Sequence, residues 1–531
     1  MRILSLNMSS LLLKMILTGL IVCGFIPSAL ANNLRVSNVS LGSRDPGTKA
    51  LVVNFDVSWE NSWRNKINHD AIWLTVRLNN TASSPKNKKL CQVAASGTNL
   101  AGSSVGNNTN LEFYVPKDKN GLLLRRNVNS SIGDISSTAA SVTINYQSCG
   151  FSDSDQVNAS IIAMEMVFVP QGSFYAGDND TSVASLDRGS ADVRPWIINS
   201  ESQISVANAA GNGFRYVSNN NPGEYATGAS FNIPAAFPKG YNAFYTMKYE
   251  ITEGQWVEFV NSLPTDSMRA AHDLTDNNHK NTDSVIARNT IVCAGSPLVC
   301  STTRPQRPVT FLSWGDLTAF LDWAALRPLT ELEFEKMARG PVLPNNGEYA
   351  WGTTKITAAS IISGNEDGTE TVINADANAN FASTVISGGD ANTGVDHQQG
   401  ALRNGIFATD NSTRESSGAS YYGVMDVSGN VKEHVVTLGN TAGLSFSGLH
   451  GDGALSTAAG FEGNADVINW PGMDIVLSRG ITGANGSGFR GGSWADSASL
   501  LRVSDRGQAA LTVVTGSNDA GGRGVRTYDG S

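Results

Sequence analysis

Charge is scarce in this chain: Asp, Glu, Lys and Arg make up 16% of its 531 residues, and the net charge is -9. Phosphate backbones bind basic surfaces, and no basic run compensates locally, so nucleic acid is excluded as a partner. Cysteine is nearly as sparse, five in all with none after Cys300. No Cys-x-x-Cys pair occurs, which removes zinc-ribbon chemistry. The six histidines, at 69, 272, 279, 397, 434 and 450, form no ligand run. His272 and His279 stand seven apart in a polar stretch and are expected to be solvated. No serine has a histidine and an acid at a diagnostic nucleophile spacing, so no catalytic residue is assigned. The one long apolar run, from Met15 to Ile26, is shorter than the roughly 20 residues that a spanning helix needs.

Glycine, by contrast, is abundant at 54 residues, which suits a loop-rich extracellular fold. The length favours more than one domain. Arg2 and Lys14, the apolar run and Ala29-Leu30-Ala31 have the order of a secretory signal over 1–31, cleaved after Ala31. The expected location is therefore secreted or cell-surface. Cys91, Cys149, Cys293 and Cys300 remain, an even number that points to disulfides. Of three possible pairings, Cys91 with Cys149 and Cys293 with Cys300 is the economical one.

From 32 to 160 the pattern has a period of two. Val53, Phe55, Val57 and Trp59 alternate with polar residues, Ile72, Leu74, Val76 and Leu78 do the same, and Val142, Ile144 and Tyr146 repeat the scheme. Strands that each bury one face predict an all-β, immunoglobulin-like sandwich. The texture changes after about residue 160. Thr252 with Gln255 and Thr330 with Glu333 form capping boxes, and between them Ser313 can cap a second helix. Glu331, one position into its helix, is expected to face solvent. The Asn-, Gly- and Ser-rich run 353–420 reads as loop, too polar to build a core of its own.

Seven blocks in the second part occur in the order of a known family. They include Met166-Val167-Phe168-Val169-Pro170-Gln171-Gly172, Arg327-Pro328-Leu329-Thr330-Glu331-Leu332-Glu333-Phe334-Glu335, Gly423-Val424-Met425-Asp426-Val427-Ser428-Gly429-Asn430-Val431-Lys432-Glu433-His434 and Phe489-Arg490-Gly491-Gly492-Ser493-Trp494. The chain resembles the formylglycine-generating enzyme, or sulfatase-modifying factor, family. The resemblance implies an α+β chain, with the sandwich followed over 161–531 by a variant of the C-type-lectin fold.

In catalytic relatives two cysteines after the Gly-Gly-Ser turn bind copper(I) and activate oxygen; here those positions read Asp496 and Leu501. Copper(I) selects sulfur ligands, so neither copper nor oxidase activity is expected. The relatives' structural calcium would map to Asp426, the carbonyls of Gly429 and Val431, and Glu433, with a second site near Asn380 and the carbonyl of Phe381. Arg490, Arg502, Arg506, Arg523 and Arg526 are expected to bridge inside the domain, an anion site being the alternative. The groove that receives a peptide in the enzymes implies ligand contact at Trp494 and Asp496, beside the loops of 353–420. Alternatively Trp494 is core and Asp496 ends a turn.

The function expected is an exported binding or surface-assembly module with a protein or glycan partner and scope for self-assembly. An enzyme working through other residues and a variable ligand-display scaffold are the alternatives.

Overall fold

The computed structural model describes residues 33–81, 87–98, 100–179, 182–208 and 213–530. The expected signal segment and its cleavage point at Ala31 lie outside the described residues. The N-terminal strands are β1 (Arg35–Asp45), β2 (Ala50–Arg64), β3 (Asp70–Asn80), β4 (Lys89–Leu90), β5 (Gly97–Thr98), β6 (Leu111–Val115), β7 (Leu122–Arg126), β8 (Ser131–Asn145) and β9 (Val157–Val169). β1, β2 and β8 make a three-stranded sheet. In β2 the apolar side chains Val53, Phe55, Val57 and Trp59 are buried in alternation, as the period of two requires. They meet Ile72, Leu74, Val76 and Leu78 of β3 in one apolar cluster.

The expected sandwich of residues 32–160 does not close on itself. Its second layer belongs to a nine-stranded sheet that runs on through Phe244–Met247, Gly524–Thr527 and Arg327–Pro328. β9 crosses the expected border at 160/161 and pairs with β3 along its length, from Asp70 with Val167 to Asn80 with Val157. Its C-terminal half also pairs with Phe244–Met247. β3 therefore buries both faces, contrary to the one-face expectation. Trp73 packs in the second core, its Nε1 donating to the Ala324 carbonyl at 2.9 Å, and the Arg77 guanidinium lies over the Trp323 ring.

Among the described residues the second part has six α-helices, of which α1 (Glu253–Ser262), α2 (Asp266–Ala270), α3 (Trp314–Trp323) and α4 (Glu331–Arg339) come first, followed by two single turns at Arg414–Ser417 and Thr441–Leu444. Both predicted capping boxes are formed, and Ser313 caps α3 with Asp316 as its partner. At the centre of the core Trp256 of α1 stacks on Phe320 of α3, and Phe259 meets Phe320 and Trp323 edge-on. Both expected disulfides are present, Cys91–Cys149 and Cys293–Cys300. Sheet predominates over helix in this α+β chain.

The 353–420 run departs from expectation. Ala359, Ile362, Ile386, Leu402, Ile406 and Phe407 close a small apolar cluster of their own. Buried charge ties it to the domain, since Arg307 reaches both Glu366 and Asp390 at 2.6 Å. Few apolar residues suffice because charge-assisted hydrogen bonds hold the loops in place.

Candidate functional site

The strands Lys432–Val436, Ser487–Arg490 and Ala520–Gly521 form a three-stranded sheet that carries the Gly-Gly-Ser turn at its end. Gly491 and Gly492 both have φ in the left-handed region, at 87° and 62°. A Cβ on Gly492 would lie 2.6 Å from Leu501 Cδ1, so the turn is built for glycine. Asp496 Oδ2 accepts from the Ser493 N–H at 2.9 Å and from its hydroxyl at 2.8 Å, closing the turn. Leu501 is fully buried against Tyr349, Trp351 and Ala379. Lys432 bonds Asp519 at 2.9 Å and stacks over Phe489.

The hollow expected beside Trp494 and Asp496 is nearly closed. Trp494 is buried, with its indole N–H on the Asn518 carbonyl at 3.0 Å. The cavity beside the turn, lined by Lys432, Phe489 and Asp496 among others, measures about 10 Å³, room for about one water. Trp494 thus packs as the alternative reading has it, and Asp496 ends the turn. The loop at Ala382 and Ser383 covers this place, donating its N–H groups to the carbonyls of Asp496 and Trp494 at 2.8 and 2.7 Å.

A dense polar centre lies on the other side of the same sheet. Arg523 is buried and spends its donors on Glu433 (Nε to Oε2 2.7 Å, Nη2 to Oε1 2.8 Å) and on the carbonyls of Met247, Lys248 and Met425. Asp426 Oδ2 accepts from the Gly405 N–H at 2.7 Å. Glu250 accepts from the Val431 N–H at 3.1 Å and from the Asn430 side chain at 2.9 Å, while the Asn380 amide reaches Asn430. Burial and the neighbouring Asp426 push the Glu250 carboxyl well above the usual carboxylate range. Burial likewise raises Asp426 to about 6, and raises Glu433 against the pull of Arg523.

Arg490 and Arg506 clasp Glu331, which is fully buried rather than solvent-facing. Burial alone would raise Glu331, but the two guanidiniums outweigh it and hold the carboxyl below its ordinary value. Arg526 pairs with Asp118, so four of the five arginines are internal bridges. His272 is buried and His279 is part-buried rather than solvated, and they share Asp316, at 2.9 and 2.8 Å. His434 is buried against Phe489 and Trp314, and burial drives its imidazole down to about 4. Sequence reasoning missed Glu250 as a member of the polar centre. Its signal was a lone acid inside the apolar entry to α1, between Tyr249 and Ile251.

A family profile described as Sulfatase-modifying factor enzyme 1-like domain matches residues 153–528. The chain belongs to that family. It is 47% identical over 51 residues to the formylglycine-generating enzyme of Streptomyces coelicolor and 43% identical over 51 residues to that of Thermomonospora curvata. Each match covers 10% of this chain and spans only 16% of the length of the curated relative.

The sulfatase-modifying-factor resemblance implies calcium, and the residues present do not fit it as the expected set. Both oxygens of Glu433 are bound by Arg523, and a guanidinium already brings positive charge to Glu433 and to three carbonyls. Among the described residues no group of three or more His, Cys, Asp or Glu side chains is arranged to hold a metal ion.

Proposed function

We propose that this sulfatase-modifying-factor-like protein is exported and acts as a binding or surface-assembly module, without the formylglycine-generating activity for which its relatives are named. The observation that carries the reading is the fate of the two positions that resemblance assigns to thiolates. Asp496 is used up as the acceptor that closes the Ser493 turn, and Leu501 is core. Among the described residues every cysteine is in a disulfide, so none of these offers a thiol in substitution. An exposed apolar run at Ile475, Val476 and Leu477 (98%, 44% and 59% exposed) supports a protein partner. It borders a hollow of about 360 Å³ that includes Ile468, Trp470 and Met473.

The test is to incubate the purified chain with copper(I), a reductant, oxygen and a sulfatase-type cysteine peptide, and to follow peptide mass. The mass should stay unchanged. Appearance of the aldehyde product at a rate proportional to protein sinks the reading.

A further inference from the structure

A cavity of about 960 Å³ lies between the N-terminal sheet and the helical side of the second part. This is within the size of sites that enclose a small organic ligand. One wall comes from β3, β4 and the loop between β6 and β7. The other comes from the end of α1, from α2, from Trp323 of α3 and from the loop 452–457. Its charge is opposite to that of the chain. Arg77, Lys88, Lys89, Lys117 and Lys119 line it, against Asp118 and Asp452. Asp118 is held by Arg526, and Lys88 is paired with Glu258. Among the described residues, Lys117 and Lys119 have no carboxylate within ion-pairing distance.

Beneath the floor of this cleft lies a buried cation. Arg77 is 1% exposed, yet its guanidinium bonds only the carbonyls of Lys88 and Trp323, and its Nε has no partner. Burial lowers it to about 9, with Glu258 acting against that fall. Trp323, also on the lining, keeps an unpartnered indole N–H. Both N–H groups are sealed from the cleft, so Arg77 acts on it through its charge, which the carbonyls of Lys88 and Trp323 and the more distant Glu258 offset only in part. Leu263, Met268, Trp323 and Leu455 make the rest of the wall apolar.

We propose that this cleft binds a small organic anion, a carboxylate or sulfate ester on an apolar body, with the headgroup toward the lysines and Arg77 and the body against Trp323 and Leu455. The site is remote in sequence from the Gly-Gly-Ser turn and does not depend on whether that turn has lost its chemistry.

The probe is 8-anilinonaphthalene-1-sulfonate, titrated into the whole protein by fluorescence. Saturable one-to-one binding is expected. The double variant Lys117→Glu/Lys119→Glu, in which two surface charges are reversed, should melt as wild type does and bind at least tenfold more weakly. Lys355→Glu, on a side chain 83% exposed elsewhere, should leave the Kd within twofold. Benzoate and phenyl sulfate should displace the probe, the stronger of the two identifying the headgroup, whereas neutral benzamide should not. Arg77→Met should also weaken binding if it folds. Absence of saturable binding, equal affinity in the Lys117/Lys119 variant, or displacement by benzamide as strong as by benzoate overturns the proposal.

Discussion

Replacing Arg523 by Met removes a cation from a place with no solvent to compensate. Glu433 is 1% exposed and would keep its charge with neither of its two guanidinium bonds. Breaking a buried pair by deleting one partner costs about 3–5 kcal/mol. The carbonyls of Met247, Lys248 and Met425 also lose their bonds to Arg523, at roughly 1 kcal/mol for each one left unpaired. At about 2–4 °C per kcal/mol for a domain of 150–250 residues, and less for a larger cooperative unit, Tm should fall by roughly 5–10 °C. Arg523→Lys keeps the charge but not the fork, so its loss should be smaller.

Adding Glu433→Gln to Arg523→Met should restore part of the stability, because the stranded charge is gone. The deficit of the single variant should also shrink on acidification. Without its arginine the folded-state pKa of Glu433 rises further above the unfolded value. The penalty is then full above the folded pKa and vanishes below the unfolded value of about 4.3. Differential scanning calorimetry from pH 4 to 8, with and without EDTA, reads all of this. If EDTA lowers the Tm of the wild type, or if Arg523→Met costs less than about 1 kcal/mol, Arg523 is not the cation that holds this centre.

The His272–Asp316–His279 cluster predicts a second pH dependence. Burial would lower His279, but Asp316 and Asp276 outweigh it and raise it to about 9. Its contribution is complete below the unfolded value near 6.5 and is lost as pH rises through about 9, by about 3 kcal/mol at most. Urea midpoints of wild type and His279→Asn should converge over that interval, and parallel pH profiles would contradict the assignment. For the disulfides, Cys91–Cys149 spans 58 residues and Cys293–Cys300 spans 7, so loop entropy assigns them about 4 and about 2 kcal/mol. Cys91→Ala/Cys149→Ala should therefore lower the non-reduced Tm more than Cys293→Ala/Cys300→Ala, and the reverse order would refute the entropic account.

The sequence by itself determined what neighbours in the chain decide. The capping boxes at Thr252 and Thr330, the cap at Ser313 and the alternation of β2 are short-range patterns, formed as read. The two disulfides also followed from few cysteines grouped by region, and the family from blocks kept in order. Only the tertiary structure decided where charge is buried, because the compensating group comes from far away in the chain. Glu331 is enclosed by Arg490 and Arg506, 159 and 175 residues distant. His272 and His279 are withdrawn from solvent, the first fully and the second in part, because Asp316 of α3 reaches both. The same holds for shape. β3 carries an alternating pattern, yet it is buried on both faces because β9 joins its sheet to the second part and α3 packs on the far side. The cationic cleft exists for that reason too: its lysines lie in the N-terminal part, and its apolar wall comes from helices and loops beyond residue 260.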